Sequence, residues 1–252
     1  MSLLNERMNS IRSILFDKDG TLIDFNSIWI PLAFKLVGEL LSEYGFDTGH
    51  KKILLERIGL YSDGNVTPGS IYASGTEDDV AWAIYNYLKE YGKELPAFPY
   101  FLKNVKDLVR NYMADNKSSI RTIGNVGETL SGLKKKGFIL GISTSDSEEN
   151  TRICLEETGI LKYFDYIGCP GENKRPKPAG DILMDFCANH GMDAGEVAVV
   201  GDTMTDISFA RRNKAGLAIG VLSGAGDRNS LAEADILLRD INELTSVMGA
   251  DI

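Results

Sequence analysis

Two apolar runs in this chain each stop abruptly at an acid, and nothing else in the sequence constrains the fold as strongly. Ile14-Leu15-Phe16 leads into Asp17-Lys18-Asp19-Gly20-Thr21-Leu22. Val197-Ala198-Val199-Val200 leads into Gly201-Asp202, with Asp206 four residues further on. Short, wholly apolar runs of this kind fit strands buried on both faces. Side chains alternate along an extended chain, so Asp17 and Asp19 share a side. Carboxylates this close repel each other unless a cation lies between them or one holds a proton. The pair therefore points to a divalent metal, to acid-base chemistry or to both. The competing reading is an acidic cap on the next turn. By the same alternation Lys18 points away from any metal, which predicts a structural role for it.

From about residue 120 the pattern alternates between strand and helix. Helices are expected over 126–136, 148–158, 179–190, 206–213 and 241–248. Strands are expected over 12–16, 138–143, 163–168, 197–200, 217–221 and 236–238. Alternation of this kind implies a parallel sheet covered on both faces, with ligands bound beyond the carboxyl ends of its strands. Residues 26–114 break the pattern. Trp29, Leu32, Ala33, Leu36, Val37, Leu40 and Leu41 recur at helical spacing, with Ser27 as the expected N-cap, Pro31 in the first turn and Gly45 as the stop. Further helices are expected over 49–58, after the Thr76-Glu77-Asp78-Asp79 cap, and along Phe101 to Tyr112, with 59–75 as a loop. The architecture that follows is α/β: a Rossmann-like core of residues 1–25 and 115–252 with an all-helical insert of residues 26–114.

Two more strand ends carry chemistry. Strand 138–143 leads into Thr144-Ser145-Asp146, whose hydroxyl and backbone N–H groups suit a phosphate oxygen. Lys174-Arg175-Pro176-Lys177-Pro178 places a lysine between prolines just before a helix, a poor core residue and a good pre-positioned cation. Asp17-x-Asp19-Gly20-Thr21-Leu22, Thr144-Ser145, Lys177 and Gly201-Asp202-x-x-x-Asp206, in this order at strand ends, resemble the four motifs of the haloacid dehalogenase (HAD) superfamily. The helical insert between the first two motifs resembles the C1-capped, phosphoglycolate phosphatase-like branch. Ser145 departs from the asparagine common at its position, and Lys18 from the usual apolar residue.

The resemblance implies an Mg²⁺-dependent phosphatase acting on a small phosphorylated metabolite. Asp17 would be the nucleophile and Asp19 the acid and base, which must hold a proton at the first step. Thr21 would orient Asp19. Lys177 would contact phosphate and nucleophile, with Lys174 as the alternate. Asp17, the Asp19 carbonyl, Asp202 and Asp206 would bind the metal, and Thr144, Ser145, Gly20 and Thr21 the phosphate. Specificity is expected from the insert, above all from 59–76, where Tyr61, Asn65 and Tyr72 could meet a substrate.

Other readings remain open. A β-phosphoglucomutase-like transferase would share these motifs, and His50 could serve it, although a solvated role suits that histidine better. A phosphonatase would need a lysine such as Lys35, Lys51 or Lys52. A non-catalytic phosphate-binding protein is the reading furthest from enzymes. Asp19 argues against dehalogenase activity. Only two histidines occur, with no Gly-x-Ser-x-Gly elbow and no P-loop. A net charge of −9 over 252 residues suggests no nucleic-acid face. Cys154, Cys169 and Cys187 have no metal or redox spacing, residues 1–11 are too polar for a secretory leader, and no run is long enough to span a membrane. A cytoplasmic monomer or homodimer without membrane contact is expected.

Overall fold

The computed structural model describes residues 3–248. Met1 and Ser2 of the polar start, and residues 249–252 of the expected core, lie outside them. The chain begins with helix α1 (Leu3–Ser10) and strand β1 (Ser13–Phe16). Five helices follow: α2 (Phe25–Glu43), α3 (Gly49–Ile58), α4 (Ile71–Ser74), α5 (Glu77–Glu90) and α6 (Phe98–Asn116). Then come α7 (Val126–Lys135), β2 (Ile139–Ser143), α8 (Glu148–Glu157), β3 (Tyr166–Gly168), α9 (Asp181–His190), β4 (Val197–Gly201) and α10 (Met204–Arg212). The chain closes with β5 (Leu217–Val221), β6 (Ile236–Leu238) and α11 (Leu244–Val247).

The six strands form one sheet in the order β3-β2-β1-β4-β5-β6, and every neighbouring pair is parallel. Ser13 sits opposite Ile139 on one side and Val197 on the other. β1 is thus central, and Asp17, Thr144 and Asp202 follow the ends of three adjacent strands. The order reverses direction at β1, the point where open parallel sheets carry their ligand crevice.

Alternation explains how wholly apolar strands build two cores. Ile14, Phe16, Leu140, Ile142, Ala198 and Val200 face one way and pack with Leu130 of α7, Leu155 of α8 and Leu244 of α11. Leu15, Val197, Val199 and Ala218 face the other way, against Phe186 of α9 and Phe209 of α10. The apolar stripes of α2, α3, α5 and α6 belong to the first cluster, so the helical insert continues that core. Its two connections to the sheet lie side by side: Asp24 N donates to Arg121 O at 2.8 Å and Ile123 N to Leu22 O at 3.0 Å.

The structure differs from the sequence reading in four places. The N-cap of α2 is Asp24, whose side chain accepts from Asn26 N, not Ser27. Ser27 instead donates to Asp24 O at 2.6 Å from inside the first turn. Pro31 therefore lies in the helix interior and removes one i→i−4 bond; it is exposed, so water can serve the freed carbonyl. The expected loop 59–75 contains α4, capped by Ser70, and a bridge between Leu60 and Val66. The expected helix 241–248 opens as a 3-10 turn, Ile241–Glu243. Helix α1 has no counterpart in the sequence reading; Arg7 ties it to Asp235 at 2.8 Å and to Gly216 O. The three cysteines are free thiols. Among the described residues no helix is long and apolar enough to cross a membrane.

Candidate active site

Three acids meet beyond the ends of β1 and β4. Asp17 continues the ladder, its N–H donating to Val200 O at 2.8 Å. Asp202 follows β4, and Asp206 lies in the first turn of α10. Carboxylate oxygens of Asp17, Asp202 and Asp206 all lie within 4.8 Å of one another, and all three residues are buried. Asp206 caps the helix and faces the lysine at once. Its Oδ2 accepts from Thr203 N at 3.0 Å and Thr203 Oγ1 at 2.6 Å, while its Oδ1 faces Lys177. Lys177 Nζ lies 2.7 Å from Asp17 Oδ1 and 2.5 Å from Asp206 Oδ1, with the side chain only 3 % exposed.

One lysine against three buried carboxylates leaves an excess of negative charge. Burial pushes the Asp17 carboxyl up to about 7, with Asp206 and Asp19 adding to the rise against the pull of Lys177. Burial, then the charges of Asp17 and Asp206, raise Asp202 well above the usual carboxylate range. The donor set, all hard oxygens in a site short of positive charge, fits a divalent cation such as Mg²⁺. Neighbouring backbone closes around Asp202. Ala225 N donates to its Oδ2 at 2.8 Å, and Thr21 Oγ1 to its Oδ1 at 3.3 Å. A Cβ at Gly20, whose φ is +85°, would lie 2.5 Å from Asp202 Oδ2, so this turn needs glycine for conformation and for space.

A second charged cluster lies beside the first. Lys18 is fully buried, and its Nζ reaches Asp19 Oδ1 at 2.6 Å, Asp146 Oδ2 at 3.1 Å and Cys154 Sγ at 3.8 Å. Burial alone would lower the lysine pKa, but the charges of Asp19, Cys154 and Asp146 outweigh it and hold Lys18 well above its usual range. Lys18 therefore points away from the three-acid cluster, as alternation predicts, and forms a strut between two carboxylates. Trp29 Nε1 donates to Asp19 Oδ1 at 2.6 Å. Lys18 and Trp29, not Thr21, thus hold the Asp19 carboxylate, which corrects the role expected for Thr21.

Both clusters border a cavity of about 100 Å³ between the sheet and the helical insert. Asp17, Asp19, Thr144, Ser145, Asp146 and Lys177 line its floor, and Phe25, Trp29, Leu32, Leu36, Tyr72, Val80, Val105 and Val109 its walls. Thr144 and Ser145 thus lie on the lining beyond the end of β2, and three of their hydrogen-bonding groups are engaged. Thr144 N donates to Gly168 O, Thr144 Oγ1 accepts from Asp146 N, and Ser145 Oγ donates to Ser74 O at 3.1 Å. Gly20 and Thr21 are not on the lining, and Gly20 N is bonded to Ile23 O. Lys174 pairs with Asp185 at 2.5 Å and is also absent from the lining, which leaves Lys177 as the lysine of this site.

The insert residues separate clearly. Tyr72 lines the cavity, with its hydroxyl on Trp29 O. Tyr61 is exposed and Asn65 is bonded to Asp63, both off the lining. His50 is half-buried: its Nδ1 lies 2.7 Å from Tyr87 Oη, amid Phe46, Tyr87 and Tyr91. Residues that sequence reasoning passed over are Trp29, Asp146, Glu77 and Ala225. Asp146 sits in a strand-end triplet already singled out; the others carry no local signal.

Comparison with known proteins agrees with this geometry. The sequence profile described as haloacid dehalogenase-like hydrolase matches residues 14–219. Pyrophosphatase PpaX of Bacillus velezensis is 25 % identical over 95 % of this chain and 97 % of its own length. A phosphoglycolate phosphatase of Shigella boydii is 26 % identical over 96 % and 94 %. Among solved structures, a predicted phosphoglycolate phosphatase from Haemophilus somnus superposes with a TM-score of 0.72 at 22 % identity, covering 94 % of this chain and 98 % of its own. CbbY from Rhodobacter sphaeroides in complex with phosphate gives 0.67 at 18 % identity, covering 93 % and 96 %. The strand-end motifs, the parallel sheet and the matched span agree: this chain belongs to the haloacid dehalogenase-like hydrolases.

Proposed function

We propose that the protein is an Mg²⁺-dependent phosphatase that hydrolyses a small phosphomonoester through an aspartyl-phosphate on Asp17. The observation that carries this reading is the placement of Asp17 at the end of the central strand, against Lys177 and within one oxygen cluster with Asp202 and Asp206. Asp17, Asp202 and Asp206, with the Asp19 carbonyl, would hold Mg²⁺, which when bound supplies positive charge against the phosphoryl oxygens.

The side chains of the site then divide the work. A carboxylate oxygen of Asp17 attacks phosphorus, and the bond from phosphorus to the leaving oxygen breaks. Asp19 gives its proton to that oxygen, then accepts one from the water that attacks the acyl-phosphate, releasing phosphate and free Asp17. Lys177 lies beside the nucleophile and offsets its repulsion with the phosphoryl group. Thr144 and Ser145 would border the phosphate. Residues 26–114 would act as a cap domain on the core of 1–25 and 115–252, shielding the reaction from water. The paired connections near Asp24 and Arg121 support motion of that block as a unit.

The relatives named phosphoglycolate phosphatase and pyrophosphatase support a small phosphorylated substrate. A phosphonatase loses support, because Lys35, Lys51 and Lys52 all lie off the cavity lining. The test is phosphate release from a panel of phosphomonoesters with Mg²⁺, with EDTA and with Asp17→Asn. The reading expects turnover that needs both Mg²⁺ and Asp17. Turnover that survives EDTA or loss of Asp17 overturns it. A stable phosphorylated enzyme that passes its phosphoryl group to a sugar but not to water would point to the transferase.

A further inference from the structure

The cavity is two-faced, and its far end is apolar and lacks an uncommitted cation. Leu32 and Leu36 of α2, Val80 of α5, and Val105 and Val109 of α6 form that end. The polar tips of the aromatic wall are turned to the protein, Trp29 Nε1 to Asp19 and Tyr72 Oη to Trp29 O. Three bordering hydroxyl protons are likewise used: Ser74 Oγ donates to Ser70 O, Thr76 Oγ1 to Asp79 and Ser145 Oγ to Ser74 O.

The charges on the lining are Asp17, Asp19, Glu77 and Asp146 against Lys177 alone, and Lys177 is engaged by Asp17 and Asp206. The nearby cations are committed, Lys18 to Asp19 and Asp146, and Lys106 to Asp78 at 2.7 Å. The first turn of α5 borders the cavity, and its capping box uses the N–H groups of Thr76 and Asp79 from within. Thr76 N already donates to Asp79 Oδ2 at 2.8 Å, and Glu77, Asp78 and Asp79 fill the turn with negative charge. Burial, then the charge of Asp146, pushes the Glu77 carboxyl up to about 7, so this end already opposes the one carboxylate it holds.

Resting on the phosphatase reading above, we propose that this end is a leaving-group subsite for short, uncharged, largely apolar leaving groups, and that it discriminates against leaving groups bearing a carboxylate. A carboxylate there would lose its water beside apolar side chains and an excess of acids without gaining a cation. Many hydroxyls would fare poorly for the same reason. Size agrees: the cavity of about 100 Å³ is smaller than the ~150 Å³ apolar cavity that admits benzene, and it must also take the phosphate.

The test compares kcat/KM for esters of matched shape with Mg²⁺ present. Acetol phosphate and phosphoglycolate have equal numbers of non-hydrogen atoms and differ in a methyl ketone against a carboxylate. Propyl phosphate and glycerol 1-phosphate form a second pair, apolar against hydroxylated. The expectation is a preference of about ten-fold or more for acetol phosphate, and propyl above glycerol phosphate. Glu77→Gln should narrow the first gap by about three-fold or more, and Val80→Arg, which supplies the missing cation, should reverse it. Phosphoglycolate turned over as well as acetol phosphate, or 2-aminoethyl phosphate better than propyl phosphate, overturns the proposal while leaving the phosphatase reading intact. No release from any ester overturns the phosphatase reading itself, and this inference with it. The wild-type comparison decides even if Val80→Arg fails to fold.

Discussion

Two buried lysines flank the end of β1, and each is clasped by carboxylates, yet their charge balances differ. Lys177 faces Asp17 and Asp206, with Asp202 in the same oxygen cluster, so one cation serves three acids. Lys18 faces two acids, Asp19 and Asp146, besides the Cys154 sulfur, and neutral donors complete its cluster: Trp29 Nε1 on Asp19, and Ser147 N and Asn150 Nδ2 on Asp146. The first cluster is short of positive charge and suited to a further cation. The second is self-contained and suited to holding shape. Similar residues, packed at a similar depth, are thus suited to binding a cation in one place and to holding Asp19 in position in the other, and the count of charges separates the two.

The largest effect that tests this contrast is chemical. Asp17→Asn keeps the shape of the side chain and removes the nucleophile, and phosphate release should fall by roughly 10⁴-fold or more. Retained turnover would show that the three-acid cluster is not where the reaction happens.

Lys18→Met should act on stability instead. It leaves the half-buried Asp19 and Asp146 without a cation, which costs about 2–4 kcal/mol, read as a lower denaturation midpoint. Mg²⁺ should bind this variant as it binds the wild type, since Lys18 touches none of the three acids. A folded Lys18→Met protein of wild-type stability would mean that the strut is dispensable.

Lys177→Met gives the matching experiment on the other side. Without Mg²⁺ it should also be destabilised, but saturating Mg²⁺ should restore about 2.7 kcal/mol at a hundred times its Kd. At one fixed Mg²⁺ concentration the gain should exceed the gain seen for Lys18→Met, because loss of Lys177 leaves the three acids with no other cation and tightens Mg²⁺ binding. Burial holds Asp17 up to about 7, so a proton competes with the cation below that pH. Mg²⁺ affinity should therefore weaken as pH falls from 8 to 6, with proton release on binding visible by calorimetry in two buffers. Equal Mg²⁺ rescue of the two lysine variants would erase the distinction between the clusters.

The cluster at the ends of β1 and β4 was largely legible in the sequence. Asp17, Asp202, Asp206 and Lys177 each sit where an apolar run or a proline pair ends, and strand ends in a parallel sheet converge. The Lys18 cluster was legible only by half. Alternation gave the direction of Lys18, but its partners arrive from β1, α2 and the loop before α8, and no local spacing links Trp29 or Asp146 to Lys18. The same holds for Ala225, a backbone donor from the turn after β5, because any residue type could supply that N–H. Thr21 shows the opposite failure: its place in the motif suggested Asp19 as a partner, whereas the Gly20 turn brings its hydroxyl to Asp202. In the insert, periodicity located the helices, but the cap of α2 moved to Asp24 because Asp24 is fixed by its pairing with Arg121 as well as by Asn26. Long-range pairing decided what short-range propensity left open.

Glu77 carries the contrast from the floor of the cavity to its wall, with the smallest expected effect. Its carboxyl is raised from the usual value to about 7 by burial and then by the charge of Asp146, partly offset by Lys106. No lysine is bonded to it as Lys18 is to Asp19. A carboxyl whose folded pKa lies above its unfolded value binds more protons folded than unfolded between those two values. The contribution of Glu77 to stability therefore falls as pH rises from about 4.5 towards 7, and the penalty is constant above that. Glu77→Gln removes the charge and should leave stability nearly unchanged at pH 5. At pH 8 it should raise stability by about 1–2 kcal/mol, a value reduced from the full shift because the side chain is partly solvated. Denaturant unfolding of both proteins at the two pH values measures this directly. A variant less stable than wild type at pH 8 would mean that Glu77 has a cationic partner in solution, and the far end of the cavity would then resemble the Lys18 strut rather than a wall that opposes negative charge.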